Sequence, residues 1–230
     1  MPTVLITGAN RGLGLEFVRQ YAEADWNIVA TCRKPENADR LHEVQRKFRD
    51  KISLFSLDVS QAKSFSALKS ELKNKPIDLL ISNAGVYGEK SRFGAVDYDY
   101  WLEAMKINTF STLRLAEAFH ENISFSEKKL LVAITSLMGS IEDNTSGGSY
   151  VYRSTKAALN MVVKSLAVDL QPEGIICALL HPGWVQTDMG GPNASIDTST
   201  SISGMRKVLE GLKLTDSGRF FNYEGEVIPW

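Results

Sequence analysis

The residues of this chain best suited to exchange a proton with a substrate are Tyr152 and Lys156, which lie four positions apart in a segment of helical periodicity. Side chains at this spacing share one face of a helix, with Cβ atoms roughly 5–6 Å apart. An unperturbed tyrosine has a pKa of ~10, too high for acid–base work near neutrality. An ammonium about 4 Å away stabilises the phenolate by ~4 kcal/mol at an effective dielectric near 20, which would lower that pKa to about 7. The pair therefore predicts a tyrosine that protonates a substrate oxygen.

The pair needs support from its neighbours, because the seven tyrosines and 26 basic residues of the chain would produce roughly one such spacing by chance. Tyr150 is excluded as an alternative, since position 154 is a serine.

A glycine-rich turn follows the first predicted strand and reads Thr7-Gly8-Ala9-Asn10-Arg11-Gly12-Leu13-Gly14, after which a helical pattern begins at once. Glycines lack a Cβ, so they let a pyrophosphate approach backbone N–H groups at the positive end of a helix dipole. A tight turn without a ligand explains the glycines equally well. The spacing Gly-x-x-x-Gly-x-Gly is wider than the common dinucleotide fingerprint.

The second predicted strand ends at Thr31-Cys32-Arg33-Lys34. An NAD-specific protein would place a carboxylate here, on the ribose 2′-hydroxyl. Arg33 could instead bind a 2′-phosphate, because a guanidinium presents a planar fork of donors that matches phosphate oxygens. The alternative is that Arg33 and Lys34 form only a solvated turn before Pro35. The missing acid favours NADP(H) over NAD(H).

Taken together, these motifs resemble the short-chain dehydrogenase/reductase superfamily. The resemblance rests on the glycine spacing, on the strand end Ile134-Thr135-Ser136 and on Tyr152-Arg153-Ser154-Thr155-Lys156-Ala157-Ala158. Three further segments match: Asp58-Val59, Ser82-Asn83-Ala84-Gly85 and His181-Pro182-Gly183-Trp184-Val185-Gln186-Thr187-Asp188. Ser82 departs from the usual asparagine. The resemblance implies one NAD(P)-binding Rossmann domain over residues 1–230 and hydride transfer between nicotinamide and a carbonyl or alcohol substrate.

The resemblance also implies a role for each matching residue. Ser136 would hydrogen-bond the substrate carbonyl, Tyr152 and Lys156 would also contact the nicotinamide ribose, and Asn108 would support a water relay. Arg11 would be a second basic contact to the phosphate. The other expected cofactor contacts are Gly8, Asn10, Gly12, Leu13, Gly14, Arg33, Asp58, Val59, Asn83, Ala84, Gly85, Pro182, Gly183, Val185 and Thr187. For several of these an ordinary structural role remains open: a helix cap for Asp58, a strand-end hydroxyl for Ser136 and a simple Pro-Gly turn at 182–183.

Within the superfamily, three features resemble the C-factor and Sniffer-type carbonyl reductases. They are the strand end Cys32-Arg33, the run from Pro182 to Met189 and the last six residues of the sequence. This implies NADPH-dependent reduction of small apolar or aromatic aldehydes and ketones. Tyr87, Met138, Trp184 and Met189 are the candidate pocket walls, although each could belong to the core. A different hypothesis is an NADP-binding signalling or scaffold protein of the C-factor type. A sugar-nucleotide epimerase or dehydratase is disfavoured, because only about 50 residues follow the sixth strand.

The elements that must position these residues alternate along the chain, as in a series of βαβ units. Short β-branched runs predict strands at Thr3 to Thr7, Asn27 to Thr31, Ile52 to Leu57, Ile77 to Ser82, Leu130 to Thr135 and Ile175 to Leu180, with a last strand or hairpin in Arg219 to Val227. Helical spacing covers Gly12 to Ala24, Asn37 to Asp50, Gln61 to Asn74, Tyr98 to Glu121 and Tyr152 to Leu170. Right-handed crossovers then imply a doubly wound α/β fold, a parallel sheet of about seven strands with helices on both faces.

Two segments near the site show no clear periodicity. The segment Met189 to Ser203, rich in Gly, Ser, Thr and Asn, is expected to be a loop, either a lid over the substrate or an ordinary connection. The loop from Met138 to Ser149 is longer than the resemblance leads us to expect, so it should bulge toward the substrate. Asn108 is a poor residue for the middle of a helix, which favours a functional reason for its place.

Composition and residue counts limit the partners, location and metal sites that the protein is expected to have. A formal net charge of -1 disfavours nucleic-acid partners. The two cysteines predict buried, reduced thiols and a cytoplasmic location, and three histidines without suitable spacing predict no metal site. No stretch resembles an export signal or a membrane span. The resemblance implies that the two long helices pair between copies to form a homodimer or homotetramer.

Overall fold

One parallel sheet divides the core of the protein into two hydrophobic layers in the computed structural model, which describes residues 1–88 and 92–230. All six neighbouring strand pairs are parallel, and the spatial order is β3-β2-β1-β4-β5-β6-β7. The strands are Thr3–Thr7 (β1), Asn27–Cys32 (β2), Ile52–Ser56 (β3), Leu79–Ser82 (β4), Leu130–Ile134 (β5), Ile176–His181 (β6) and Phe220–Asn222 (β7). The predicted seven-stranded α/β fold is confirmed.

In the described part of the chain, seven α-helices connect or flank the strands. They are Gly12–Glu23 (α1), Asp39–Lys47 (α2), Ala62–Leu72 (α3), Tyr98–Met105 (α4), Ser111–Ser124 (α5), Tyr150–Asp169 (α6) and Thr198–Gly211 (α7). Successive residues of a strand face opposite layers, so Val4 and Ile6 pack with α1, α2 and α7, whereas Leu5 packs with α3, α5 and α6. Burial on both faces explains why the strands read as continuous apolar runs.

The order of strands reverses between β1 and β4, and the connections after these two strands leave in opposite directions. Open α/β sheets bind ligands in the crevice that opens at such a switch point, at the carboxyl ends of the strands. The glycine turn follows β1, the segment Asn83-Ala84-Gly85 follows β4, and Ser136 follows β5. The fold therefore gathers the sequence motifs at one edge of the sheet.

The prediction that Met189 to Ser203 is a loop is wrong for its last six residues, which form the first turns of α7. The Asp197 side chain caps this helix by accepting a hydrogen bond from the Thr200 N–H at 2.7 Å, and Ile202 is fully buried against the sheet. A Ser/Thr-rich first turn lacks the apolar periodicity that reveals a helix, so tertiary burial decides it.

Two helical predictions also need adjustment. The helix predicted over Tyr98 to Glu121 is divided by a π-helical turn at Lys106–Phe110, which contains Asn108. The helix expected from Tyr152 begins at Tyr150. At the carboxyl end, an antiparallel bridge between Phe221 and Val227 confirms the predicted hairpin.

Both cysteines, Cys32 and Cys177, are buried free thiols, as predicted. Among the described residues, no helix combines the length and the apolar character needed to cross a membrane. No group of three or more metal-ligating side chains occurs in that same part of the chain.

Candidate active site

The glycine turn between β1 and α1 has a backbone that strongly favours glycine at its tightest points. Gly8 and Gly12 adopt left-handed conformations with φ of +66° and +53°. A Cβ on Gly14 would lie 2.2 Å from the Gly8 carbonyl oxygen. Arg11 occupies the N-cap position of α1, and its guanidinium, which can only donate hydrogen bonds, is paired with Asp188. The first N–H groups of α1 therefore have no cap from Arg11, and the turn fits a dinucleotide pyrophosphate.

Asn83 holds this turn from the neighbouring strand. Its amide donates to the carbonyl oxygens of Thr7 at 2.8 Å and Gly8 at 3.4 Å, while its backbone N–H donates to the Thr7 hydroxyl at 3.0 Å. The Ala84 N–H donates to the same hydroxyl at 3.0 Å. The Asn-Ala-Gly segment therefore shapes the turn, and the sequence reasoning overlooked the part played by Thr7.

The residues expected at the adenosine end lie on three different loops. Arg33 is exposed at the end of β2. Arg11 forms an ion pair with Asp188 at 2.8 Å, in which both side chains are more than half exposed. Asp58 accepts hydrogen bonds from the Ser60 N–H at 2.9 Å and the Ser60 hydroxyl at 2.7 Å, so it stabilises a turn ahead of α3 instead of capping that helix. Val59 beside it is buried.

Tyr152, Lys156 and Ser136 meet at the carboxyl ends of β5 and β6. Tyr152 and Lys156 project from the same side of α6, with the Lys156 Nζ 5.8 Å from the centre of the tyrosine ring. Ser136 lies near enough to Tyr152 to lower the pKa of that hydroxyl, and the Ser136 hydroxyl oxygen accepts from the Met138 N–H at 3.2 Å. Lys156 donates to the Ile134 carbonyl oxygen at 2.9 Å and is 4% exposed. The expected serine, tyrosine and lysine are therefore neighbours in space.

Burial controls the pKa values of this cluster, which differ from the sequence-based expectation. Burial raises the pKa of Tyr152 to about 12, while its hydrogen bond with Ser136 acts in the opposite direction and the nearby Tyr87 raises it further. Burial lowers the pKa of Lys156 to about 8. The prediction that Lys156 brings the tyrosine near neutrality is therefore wrong for this structure. Helical spacing reveals a neighbouring charge but not the cost of desolvating the phenolate.

Asn108 is the centre of the π-helical turn and is 2% exposed. Its Oδ1 accepts from the Val86 N–H at 2.8 Å, and its Nδ2 donates to the Val86 carbonyl at 2.9 Å and to the Thr155 hydroxyl at 3.0 Å. These bonds tie the segment after β4 to the helix that carries Tyr152. A Cβ on Gly85 would lie 3.3 Å from the Asn108 Oδ1 and 3.7 Å from the Lys156 Nζ, so a small residue is needed between them. π-Helical turns of this kind recur at functional sites.

Two of the four predicted pocket walls contact each other at the tyrosine. The Tyr87 ring lies 4.5 Å from the Tyr152 ring between centroids, and its hydroxyl is 4.0 Å from the Met138 sulfur and 3.4 Å from the Ser149 hydroxyl. The loop from Met138 to Ser149 thus reaches the site, as expected. Trp184 and Met189, the other two walls, are 56% and 49% exposed on the segment after β6.

The Pro-Gly segment after β6 reaches back to the glycine turn. Gly183 has a φ of +83°, and Val185 is bridged to Ile196. The Thr187 hydroxyl accepts from the Gly190 N–H at 3.1 Å, which closes a compact turn. A Cβ on Gly12 would lie 3.5 Å from the Thr187 methyl carbon. The segment therefore lies against the glycine turn.

His181, which sequence reasoning left without a catalytic role, sits at the end of β6. Burial lowers its pKa to about 4, while Asp143 acts in the opposite direction. Its imidazole is therefore neutral near pH 7. Sequence reasoning also missed Asp188 and Asn160, although an asparagine inside a helix, as at position 160, is an available signal.

Comparison with known proteins agrees with this geometry. A family model described as short chain dehydrogenase matches residues 2–196. The chain belongs to the short-chain dehydrogenase family. The C-signal of Myxococcus xanthus is 47% identical over 155 residues, which cover 67% of this chain and 93% of that protein.

Two carbonyl reductases are among the solved structures that resemble the whole chain. The carbonyl reductase Sniffer of D. melanogaster has a TM-score of 0.93 and 33% sequence identity, with all of both chains covered. The NADPH-bound carbonyl reductase from chicken fatty liver has a TM-score of 0.89 and 34% identity, covering 100% of this chain and 99% of that one. This member of the short-chain dehydrogenase family is thus an oxidoreductase by family, with carbonyl reductases among its structural neighbours.

Proposed function

We propose that this protein is an NADP-dependent oxidoreductase that reduces aldehyde and ketone carbonyls to alcohols, with Tyr152 as the proton donor. The observation that carries the proposal is the buried cluster of Ser136, Tyr152 and Lys156 at the carboxyl end of β5. A carbonyl group placed there meets a hydroxyl donor and a proton donor at once, which is the arrangement that reduction requires.

The chain's own residues would bind the substrate oxygen and supply its proton. Bound NADPH supplies the hydride to the carbonyl carbon. The Ser136 hydroxyl donates a hydrogen bond to the carbonyl oxygen and so stabilises the negative charge that develops there. With a pKa near 12, Tyr152 holds its proton at neutral pH and can transfer it to that oxygen. Lys156, charged below its pKa of about 8, then stabilises the phenolate that remains.

The preference for NADP(H) rests on charge at the adenosine end. The strand end Cys32-Arg33 carries no acid to accept a ribose hydroxyl, and Arg33 is exposed there. Arg11 is exposed in the glycine turn, where it forms a surface ion pair with Asp188. Two guanidinium groups in these positions favour a 2′-phosphate. The NADPH in the chicken relative supports this choice.

The pocket walls favour apolar or aromatic carbonyl substrates. Tyr87 and Met138 lie against the tyrosine, and Trp184 and Met189 present exposed apolar area on the segment after β6. We infer that residues 189–197, the part of the predicted lid that precedes α7, close over such a substrate. Exposed apolar residues on α4, α5 and α6, such as Leu102, Leu113 and Met161, support the predicted pairing of two copies. The cytoplasmic location stays a prediction.

A second candidate is an NADP-binding signalling protein with little turnover. The similarity to C-signal favours it. It predicts tight NADPH binding without reduction of any carbonyl. The intact set of serine, tyrosine, lysine and asparagine weighs against it, because a protein that only binds the cofactor has no need for a proton donor.

The deciding experiment measures NADPH oxidation with a panel of aromatic aldehydes, α-diketones and quinones, and repeats it with NADH. We compare Tyr152→Phe with Tyr150→Phe, a matched control two residues away that is 39% exposed at the start of the same helix. Loss of the proton donor should lower kcat by about 10²–10⁴-fold, whereas the control should keep its rate. NADPH binding without turnover in the unmodified protein would instead support signalling, and equal rates for both variants would remove Tyr152 from the mechanism.

A further inference from the structure

A buried polar pair lies directly behind Ser136 and takes no part in the chemistry described above. Thr135 at the end of β5 is 2% exposed, and Asn160 on α6 is 3% exposed. The Thr135 hydroxyl donates to the Asn160 Oδ1 at 2.7 Å, and the Asn160 Nδ2 donates to the Gly139 carbonyl oxygen at 3.3 Å. One side chain on α6 therefore holds both sides of the segment that carries Ser136.

The segment from Thr135 to Gly139 has little freedom of its own. Ser136 is the N-cap of a short 3₁₀ turn over Leu137–Gly139, which is pressed against α6. A Cβ on Gly139 would lie 2.9 Å from both the carbonyl carbon and the Cβ of Lys156. Asn160 lies one helical turn after Lys156 and on the same side of α6. The contacts thus join the serine to the helix that carries the tyrosine and the lysine.

A polar pair in this place has a cost that an apolar pair would avoid. A buried hydroxyl or amide loses its bonds to water, and the hydrogen bonds formed in exchange contribute only about 1 kcal/mol each. Apolar side chains of similar volume would fill the same space without needing defined geometry. What the polar pair adds is a fixed distance and direction between β5 and α6, because hydrogen bonds weaken steeply when bent or stretched.

We propose that Asn160, together with Thr135, is a positioning residue that fixes the Ser136 hydroxyl relative to the Tyr152 hydroxyl. The proposal rests on the carbonyl reductase function proposed above, since it concerns the proton donor and the oxygen-binding group of that site. Neither Asn160 nor Thr135 touches the substrate. They act through the segment of Ser136, which Asn160 holds at Thr135 and at Gly139.

The test compares Asn160→Ala with Asn122→Ala, a matched control. Asn122 is 1% exposed on α5, and its Nδ2 donates to the carbonyl oxygens of Lys73 at 2.7 Å and Lys75 at 2.8 Å, remote from the site in sequence. Both changes remove a buried amide with two hydrogen bonds, so both should lower the melting temperature. Because a displacement of about 1 Å in a reacting group can reduce a rate by up to 10²-fold, we expect kcat to fall by about 10-fold or more for Asn160→Ala only. The dissociation constant for NADPH should stay within about twofold of the original.

Two conservative substitutions of Thr135 control for the possibility that Asn160→Ala does not fold. Thr135→Val removes the hydroxyl but keeps the shape, and Thr135→Ser keeps the hydroxyl. The first should reproduce the loss of kcat, and the second should retain at least half of the rate. If Thr135→Val and Asn160→Ala both keep kcat within twofold, or if Asn160→Ala loses no more than Asn122→Ala, the proposal is overturned.

Hydrogen exchange provides a readout that does not depend on turnover. The Gly139 N–H donates to the Ser136 carbonyl and the Ser140 N–H to the Leu137 carbonyl, and both amides should exchange faster in Asn160→Ala than in Asn122→Ala. Unchanged exchange of these two amides overturns the positioning role. If the unmodified protein reduces no carbonyl, the proposed function fails, and the exchange rates still decide whether Asn160 holds the serine segment.

Discussion

Replacing Gly14 by alanine should destroy the cofactor site while leaving most of the fold intact. The new Cβ would lie 2.2 Å from the Gly8 carbonyl oxygen, 2.7 Å from the Asn83 Nδ2 and 2.9 Å from the Gly8 carbonyl carbon. Two of these atoms belong to the backbone of the turn, so neither can rotate away. The turn and the first residues of α1 must separate.

The size of the effect follows from the distances. A carbon and a carbonyl oxygen need roughly 3.2–3.5 Å, so the backbone must move by about 1 Å. Overpacking of this kind costs about 1–3 kcal/mol of stability. The same movement displaces the N–H groups that face the pyrophosphate, and each 1.4 kcal/mol lost from binding weakens affinity about tenfold. We therefore expect NADPH to bind Gly14→Ala at least about 10²-fold more weakly.

Gly12→Ala is the matched control, since it changes the same turn without a clash. Its nearest neighbour would be the Thr187 methyl carbon at 3.5 Å. The cost there comes from its φ of +53° and should be about 1–2 kcal/mol. Fluorescence titration with NADPH and thermal unfolding would be measured for both variants. NADPH affinity within twofold of the original for Gly14→Ala, or a larger loss for Gly12→Ala, would refute the steric argument.

Two further predictions concern charge. Asp188→Asn removes the carboxylate that pairs with Arg11 at 2.8 Å on the surface. Breaking such a pair costs up to about 1 kcal/mol, and NADPH binding would no longer bear that cost once the carboxylate is gone. NADPH should therefore bind up to about fivefold more tightly, whereas the affinity for NADH should not change. Weaker NADPH binding would show that Asp188 instead orients Arg11 for the phosphate. Lys156→Met removes a lysine whose folded-state pKa is about 8 against an ordinary value of 10.5. At a pH between these two pKa values, the unfolded chain keeps a proton on Lys156 that the folded chain has released. The free energy of unfolding of the original protein, relative to that of the variant, should therefore rise with pH across this range. The full rise is on the order of 3 kcal/mol. Urea unfolding at several pH values across this window checks it, and a difference that does not change with pH would contradict the lowered pKa.

Much of the fold could be predicted from the local hydrophobic pattern of the sequence alone. The apolar runs of β1 to β6 have to be buried on both faces, and helical segments separate them, so a parallel doubly wound sheet is the natural arrangement. That topology brings the carboxyl ends of β1, β4, β5 and β6 to one edge. The glycine turn, Asn83, Ser136 and the Pro-Gly segment were therefore expected together before any distance was known. α7 escaped detection because its first turn, Thr198 to Ser201, has no apolar stripe.

What the sequence by itself determined about this protein is which residues follow which strand, and hence which side chains gather at the site. Only the tertiary structure decided the pKa values of these side chains and the hydrogen bonds that hold them in place. The spacing of Tyr152 and Lys156 predicted a lowered tyrosine pKa, whereas burial raises it, because desolvation depends on every element packed around the ring. The hydrogen bonds that Asn160 accepts from Thr135 and donates to Gly139 join residues more than 20 positions apart. Such contacts depend on how β5 packs against α6, and the local sequence pattern does not determine the distance between these two elements.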